Sequence, residues 1–260
     1  MVMRIAFNNV KGGSGKTMTT FQLAGTLSDR GYKVLCVDLD PQGNLTRAFL
    51  PVKPGIGMYE LLSGEAKFED IVKQPYPDNN KLKNIYLLPT TYDLFYFKEG
   101  EYTPLHLKEE LSKHDSVYDF VLIDTNPSIS FTTLNALIYA NFIFGVLDAS
   151  LDSIDGFQYL TEEIVEQIKE HVSKDLKIIG VLLNENDKRK NISKEILKIM
   201  KEVYGKLMFD TYISVSAKAE ESRVAKLPII EYDPRGVATD QYTTLTQELI
   251  KRLKKEVKFK

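Results

Sequence analysis

The chain has 260 residues, of which 43% are hydrophobic and 27% are charged. This balance is typical of a soluble globular protein, and the length allows one complete hydrophobic core. The single cysteine, Cys36, excludes a disulfide framework, and no apolar stretch approaches the roughly 20 residues that span a bilayer. We therefore expect a cytoplasmic protein without a signal peptide, folded as one domain over residues 1–260.

Charge is distributed unevenly along the chain. The formal net charge is −2, but residues 188–260 carry 17 Lys and Arg against 10 Asp and Glu. That quarter of the chain is net +7, and the remainder is net −9. A basic C-terminal quarter attached to an acidic body is consistent with a polyanionic partner, although solvated helix faces would also produce part of this bias.

Short apolar runs alternate with segments of helical spacing. The runs are rich in Val, Ile, Leu and Phe and do not alternate with polar residues, as is typical of strands covered on both faces. The pattern predicts an α/β fold with a doubly wound, mostly parallel sheet flanked by helices. We expect loops and short helices over Pro51–Asn84 and a C-terminal helix over about 237–255. The predicted strands are Arg4–Phe7, Lys33–Val37, Ile85–Leu88, Phe120–Ile123, Phe142–Leu147 and Ile178–Leu183.

The segment Val10–Thr17 follows the first predicted strand and precedes a helical pattern over Met18–Arg30. Its glycines let successive backbone N–H groups point at one anion, and the helix adds its positive N-terminal end. In such a phosphate-binding loop (P-loop), Lys16 reaches the β- and γ-phosphates and Thr17 offers its hydroxyl to Mg²⁺. The predicted phosphate-binding residues are Gly12, Gly13, Ser14, Gly15, Lys16, Thr17 and Met18.

Lys11 adds a second lysine that an ordinary P-loop does not need. The string Lys-Gly-Gly-x-Gly-Lys-Thr resembles the deviant Walker A motif of the ParA/MinD ATPases. In that family the first lysine crosses a dimer interface and contacts the phosphates bound by the partner subunit. The resemblance implies ATP and Mg²⁺ as cofactors, a homodimer that forms on ATP, and catalytic roles for Lys11 and Lys16. A solvated surface lysine is the alternative.

Two predicted strands end in aspartates. Asp38 and Asp40 occupy alternate positions, so both leave the strand on the same side. The resemblance assigns the water-positioning role to Asp40, with a part in the metal site, and leaves Asp38 to support it. Asp124 ends the later strand and is the predicted Walker B ligand of Mg²⁺, together with Thr17. No glutamate follows Asp124, so we expect slow turnover.

Asn126 stands where related ATPases usually have a proline. This departure leaves Asp124 in place but makes the local switch geometry an open question. Further along, the resemblance places adenine between the strand end at Asn184 and the loop near Pro228. An asparagine amide can read the base, because it both donates and accepts hydrogen bonds. The alternative is that Asn184 is present because asparagine favours turns.

The segment Ile213–Pro228 aligns with a family segment near the DNA-binding face. Lys218 occupies the place of an arginine used for DNA in many relatives, whereas Val215 replaces another basic residue. Contacts to phosphates need no base-reading geometry, so binding to double-stranded DNA would be nonspecific and sensitive to salt. The predicted DNA-binding residues are Lys188, Arg189, Lys190, Lys218 and Arg223.

The resemblance to ParA-type partition ATPases extends from Met3 to about Leu253. It implies a nucleoid-associated protein whose ATP dimer is stimulated by a ParB-like centromere-binding protein, without an N-terminal helix-turn-helix domain and without stable membrane association. A MinD-like membrane-associated positioning ATPase is the main alternative, based on a basic, amphipathic C-terminal stretch. However, Leu245, Leu249 and Leu253 follow the spacing of a helix that packs on the domain. A metabolic enzyme, such as an amidotransferase-linked synthetase or a reductase, is the second alternative, but one cysteine cannot supply an iron–sulfur site.

Overall fold

Six strands form one sheet in the order β3-β2-β4-β1-β5-β6, and every neighbouring pair is parallel. The computed structural model describes residues 1–172, 175–186 and 191–257. The predicted α/β fold is confirmed, and all six predicted strands are present with small shifts at their ends. The strands are β1 (Met3–Asn8), β2 (Val34–Leu39), β3 (Ile85–Leu88), β4 (Phe120–Thr125), β5 (Phe142–Leu147) and β6 (Lys177–Leu183).

Helices cover both faces of the sheet. They are α1 (Lys16–Asp29), α2 (Asn44–Phe49), α3 (Met58–Ser63), α4 (Phe68–Ile71), α5 (His106–Leu111), α6 (Phe131–Tyr139), α7 (Leu151–Tyr159), α8 (Glu166–His171), α9 (Asn191–Tyr204), α10 (Ala217–Val224), α11 (Ile229–Tyr232) and α12 (Val237–Glu256). A π-helical segment, Leu160–Val165, joins α7 to α8. Short 3₁₀ turns occupy Tyr92–Tyr96, Ser112–Val117 and Gly205–Leu207.

The sheet separates two apolar clusters, because successive side chains of a strand point to opposite faces. Val37 belongs to the cluster that includes residues of α3 to α9, whereas Cys36 belongs to the cluster that includes α1, α2, α11 and α12. Every residue of β2, β4 and β5 is buried. Burial on both faces explains why these strands are apolar without alternation, and it makes the sheet a rigid support for the loops at its edge.

Helix α12 packs on this core as its leucine spacing predicts. Leu245, Leu249 and Leu253 are fully buried, and Tyr242 lies in the same cluster. Truncation of one such leucine to alanine typically costs about 2–5 kcal/mol of stability. Within the described residues, no helix is both long and apolar enough to cross a membrane.

Candidate functional site

The polar residues singled out in the sequence meet at the carboxyl edge of the sheet. Strand β1 lies between β4 and β5, and β2 lies on the other side of β4. The register places Asp38 of β2 directly opposite Asp124 of β4. Parallel strands end at one edge, so the loops that follow β1, β2 and β4 surround a common space. Motifs that are far apart in the sequence therefore form one site.

The loop after β1 turns at two glycines whose backbone angles lie in the left-handed region, Gly13 at φ 76° and Gly15 at φ 89°. A Cβ atom on Gly15 would lie 1.9 Å from Nδ2 of Asn184, so a side chain at this position would collide with that amide. The same amide donates a hydrogen bond of 3.0 Å to the carbonyl oxygen of Ser14. Glycine is therefore required both for the backbone angle and for the close approach.

Asn184, the predicted adenine reader, is 1% exposed and lies beneath the loop. Its side-chain amide donates to Ser14, and its backbone N–H donates to Leu147. It is not among the residues that line the cavity described below. The structure therefore gives Asn184 a supporting contact to the P-loop, and its role toward a base stays a prediction.

Lys16 begins α1 and folds back over the loop. Its Nζ donates to the carbonyl oxygens of Asn9 at 3.0 Å and Lys11 at 3.3 Å, and the residue is 6% exposed. Burial lowers the pKa of Lys16, and the nearby carboxylates of Asp124 and Asp40 offset part of that shift. A phosphate would take the place of these carboxylates as the dominant counter-charge of the ammonium group.

Thr17 and Asp124 form a direct pair. The Thr17 hydroxyl donates to Oδ2 of Asp124 at 2.7 Å, although the two residues are 107 positions apart. The other oxygen, Oδ1, is buried without a hydrogen-bond partner among the described residues. Burial, followed by the charge of Asp38, raises the pKa of the Asp124 carboxyl. An orphaned buried carboxylate oxygen beside a hydroxyl fits a small hard cation such as Mg²⁺, which would supply the missing partner.

The two aspartates of β2 have different surroundings. Asp38 is fully buried, and its Oδ2 accepts from the backbone N–H and the hydroxyl of Thr46, both at 2.7 Å. Burial raises the pKa of Asp38 to about 7, against the effect of these hydrogen bonds. Asp40 lines the cavity, and its Oδ1 accepts from the backbone N–H of Gln42 at 2.9 Å. Asp38 thus fixes the start of α2, and Asp40 faces the open space.

Asn126 organises the turn after β4. Its Oδ1 accepts from Thr133 Oγ1 at 2.9 Å and from Ser128 Oγ at 3.1 Å, while its Nδ2 donates to Ser130 Oγ at 3.0 Å. Ser130 in turn caps α6, because its side chain accepts from the backbone N–H of Thr133. The residue that departs from the expected proline therefore holds the turn through side-chain hydrogen bonds.

A cavity of about 360 Å³ connects these groups. Glu185, Glu220 and Arg223 also line this cavity. Sequence reasoning missed Glu185 and Glu220, although the place of Glu185 two residues after the end of strand β6 was a usable signal. The other lining residues are Gly13, Ser14, Gly15, Lys16, Thr17, Met18, Asp40, Asn44, Thr125 and Pro127.

Glu185 has an unusual backbone for a residue with a side chain, with φ at 51°. Such conformations are uncommon outside glycine and concentrate at functional sites. Burial raises the pKa of the Glu185 carboxyl, and Glu220 and Asp148 add to the shift. The Glu185 side chain lines the cavity beside the P-loop, since a Cβ on Gly15 would stand 3.7 Å from its Oε1.

Lys11 does not line the cavity in this chain. Its Nζ forms an ion pair of 2.6 Å with Oδ2 of Asp148 and a hydrogen bond of 2.8 Å with Ser150 Oγ. Burial raises the pKa of Asp148, but hydrogen bonds from Lys11, Ser150 and Ser153 lower it further, and the net shift is downward. The first lysine of the motif is therefore held by its own subunit. A contact across a dimer interface requires this pair to open.

Pro228 lies outside the cavity lining. It is the N-terminal cap residue of α11, and its Cβ lies 2.3 Å from the point where a Cβ on Gly25 of α1 would stand. The proline thus packs α11 against α1, which is a structural role. Its predicted contact with adenine stays a prediction.

The predicted DNA-binding cations on α10 are neutralised locally. Lys218 pairs with Glu221 at 2.7 Å, and Arg223 pairs with Glu220 at 3.0 Å. Arg223 also lines the nucleotide-sized cavity, so it lies nearer to that site than the sequence indicated. Lys188, Arg189 and Lys190 lie outside the described residues.

Comparison with known proteins found one matching family model and several related sequences. Residues 2–178 match the family model described as an AAA domain. The chromosome-partitioning ATPase Soj of Treponema pallidum is 30% identical over 252 residues, which cover 95% of this chain and 97% of the relative. The protein of the same name from Thermus thermophilus is 33% identical over 253 residues and covers 97% of each chain.

Solved structures share the architecture over the full length. The septum site-determining protein MinD of Pyrococcus horikoshii, complexed with Mg-ADP, superposes with a TM-score of 0.78 at 22% identity and covers 100% of both chains. Cobyrinic acid a,c-diamide synthase of Mycobacterium smegmatis, with bound ADP and magnesium, has a TM-score of 0.77 at 26% identity and covers 100% of this chain and 98% of its own. Both structures contain ADP with magnesium, so this fold occurs in nucleotide-binding proteins with different names.

Proposed function

Because the chain belongs to the ParA/MinD family of partition ATPases, we propose that it hydrolyses ATP to ADP and phosphate in order to segregate DNA. The observation that carries the ATPase assignment is the Thr17–Asp124 pair, in which one carboxylate oxygen has no partner among the described residues, next to a cavity lined by Thr17 and Asp40. These groups are what a phosphoryl-transfer site needs for a metal and a water.

The P-loop would hold the phosphates of ATP. Backbone N–H groups of Gly12 to Thr17 and the start of α1 favour an anion, and Lys16 would exchange its contacts with the carbonyl oxygens of Asn9 and Lys11 for the β- and γ-phosphates. Met18 and Glu185 line the same cavity and would lie near the nucleotide.

Mg²⁺ would be held by Thr17 and, through its water shell, by Asp124 and Asp40. When bound, the ion neutralises charge on the β- and γ-phosphates. Asp40 would orient the attacking water, since it is the carboxylate that faces the cavity while Asp38 is engaged by Thr46. Thr125 follows Asp124 in place of a glutamate base, which supports a slow basal rate.

ATP would also drive homodimer formation through Lys11. An anion between two subunits attracts cations from both sides, so the γ-phosphate of the partner site competes with Asp148 for the ammonium group of Lys11. The existing pair is partly exposed, and such pairs contribute only about 0–1 kcal/mol, which a phosphate contact can replace.

The dimer would bind duplex DNA without sequence preference, and a ParB-like protein would stimulate hydrolysis and release. The support is the net charge of +7 over residues 188–260 and the family membership. The glutamate partners of Lys218 and Arg223 reduce the field of α10. We therefore expect the remaining lysines and arginines of this quarter to contribute to phosphate binding, and the protein to be cytoplasmic and associated with the nucleoid.

The two alternatives have less support. A MinD-like membrane anchor needs an exposed apolar helix face, but the leucines of α12 are buried in the core. An iron–sulfur reductase needs several cysteines, whereas Cys36 is the only one and is fully buried.

One experiment tests the partition proposal against the membrane alternative. The purified protein with ATP and Mg²⁺ is mixed with short duplexes of unrelated sequence, and in parallel with anionic liposomes. We expect similar affinity for all duplexes, loss of binding as salt rises, and a steeper salt dependence with ATP than with ADP, because a dimer doubles the phosphate contacts. ATP-dependent liposome binding without duplex binding at low salt would contradict the proposal.

A further inference from the structure

A second concave surface lies behind the turn that carries Asp40. It has a volume of about 230 Å³ and runs between α2 with its following loop and the end of β3. We call it the α2 groove. The lining residues on which the argument rests are Arg47, Leu50, Val52, Lys53, Tyr92 and Lys226.

The walls of the α2 groove are mainly apolar and unusually exposed. Val52 is 75% exposed and Tyr92 is 50% exposed, although both are large hydrophobic residues. Pro51 and Pro54 line the same groove and restrict the backbone of the loop after α2. A groove with rigid apolar walls is preformed, so a ligand would lose little free energy in ordering it.

The charges at the α2 groove have one sign. Arg47, Lys53 and Lys226 line it, and no Asp or Glu is among its lining residues. None of the three cations forms an ion pair with a residue in the described part of the chain. Lys53 instead lies 4.8 Å from the ring centroid of Tyr92, and the guanidinium of Arg47 donates to the carbonyl oxygen of Gln42. Three converging positive charges without a carboxylate attract an anion.

Lys226 is held toward the α2 groove by a special backbone. Its φ is 58°, in the left-handed region that favours glycine after a helix. Its Nζ donates to the carbonyl oxygen of Arg47 at 2.7 Å, and its own carbonyl oxygen accepts from the hydroxyl of Tyr76. Lys226 therefore has the backbone conformation that glycine usually adopts after a helix, and its side chain connects the end of α10 to the groove.

We propose that the α2 groove binds an acidic peptide segment of a partner protein. An apolar side chain of the peptide packs against Val52 and Tyr92, and its carboxylates pair with Arg47, Lys53 and Lys226. This inference goes beyond the proposed function, because the groove neither contains the nucleotide site nor needs ATP. A DNA backbone matches the charge but offers no apolar group to the walls, so the combination of apolar surface and cations favours a peptide.

Fluorescence anisotropy of short labelled peptides tests the proposal. The first peptide has leucine and phenylalanine at its centre and acidic residues on both sides. The second has lysine and arginine in place of the acidic residues, and the third has glycine in place of the apolar pair. We expect the full-length protein to bind the first peptide and to bind the other two at least about tenfold more weakly, since both charge and apolar contact are required.

Matched variants locate the binding. Lys53→Ser with Lys226→Gly removes two charges, and glycine suits the backbone of position 226. Lys198→Ala with Lys201→Ala removes the same charge from exposed positions of α9. The first pair should weaken binding about tenfold, and the control pair less than twofold. Val52→Asp, a change at an exposed side chain, should weaken binding independently, with thermal unfolding as the check on folding.

Three outcomes would overturn the proposal. One is failure of the acidic peptide to bind wild-type protein at low salt, and another is an equal loss of binding in the α9 control. The third is unchanged binding of the acidic peptide to the Lys53→Ser, Lys226→Gly variant together with a loss of duplex binding, which would make the α2 groove a phosphate surface.

Discussion

The nucleotide site and helix α10 contain the same kinds of charged groups, but the fold constrains them differently. Lys16, Asp38 and Asp124 are 6% exposed or less. Their contacts come from distant parts of the chain, such as the hydrogen bond between Thr17 and Asp124 across 107 positions. By contrast, each cation of α10 pairs with a glutamate three residues away on the same exposed helix.

This difference determines which charged groups are available for chemistry. In the buried site, desolvation raises the pKa of Asp124, and one of its oxygens has no hydrogen-bond partner among the described residues, so a cation would complete the arrangement. On α10 the pairs are solvated and contribute little energy, so they can open and close without affecting the fold. Substitutions should therefore have large, specific effects in the first region and small, additive effects in the second.

The largest effect is expected from Asp40→Ala. It removes the carboxylate proposed to orient water but leaves the P-loop unchanged, so turnover should fall by about a hundredfold or more while ATP binding changes only a few-fold. Phosphate release and equilibrium nucleotide binding are measured in parallel. Asp29→Ala, at the exposed end of α1, is the control and should match wild type. Full turnover in Asp40→Ala would refute the role of Asp40.

Lys11→Ala should abolish the dimer that forms with a nonhydrolysable ATP analogue. The substitution removes a cation from each side of the interface, and the loss of such charge-assisted contacts should weaken dimerisation by about a hundredfold. Sedimentation velocity measures the monomer and dimer directly. A normal dimer in the variant would show that Lys11 does not act across an interface.

On α10, Lys218→Ala with Arg223→Ala should weaken duplex binding by about three- to tenfold for all sequences alike. Basal turnover should persist, and nucleotide binding must be checked because Arg223 lines the cavity. Lys113→Ala with Lys169→Ala is the matched control, since each lysine pairs with a glutamate three residues away in another part of the chain. Equal weakening by the control would indicate that only total charge matters.

The smallest effect is expected from Asp148→Asn. It releases Lys11 from its partner within the subunit, so the ATP dimer should form at a protein concentration lower by about three- to fivefold. Asp155→Asn, an exposed position on α7, the helix that follows Asp148, should leave dimerisation unchanged. A dimer that is weaker in Asp148→Asn would mean that Asp148 supports the interface instead of competing with it.

The ion pairs of α10 follow from residue spacing in the sequence. Glu220 and Arg223, like Lys218 and Glu221, are three residues apart, which is the spacing of neighbours on a helix surface. The pairs could thus have been predicted from the sequence alone. The position of Arg223 at the nucleotide cavity could not, because it depends on how α10 packs near the P-loop.

The six strands, the P-loop and the packing face of α12 could be predicted from the sequence alone. These features are encoded locally, in apolar runs, glycine spacing and the helical repeat of leucines. The ion pair of Lys11 with Asp148 and the hydrogen bond from Asn184 to Ser14 depend on tertiary structure, as does the oxygen of Asp124 that has no partner among the described residues. The two contacts join residues more than 100 positions apart, which the parallel pairing of β1 with β5 and of β5 with β6 brings together.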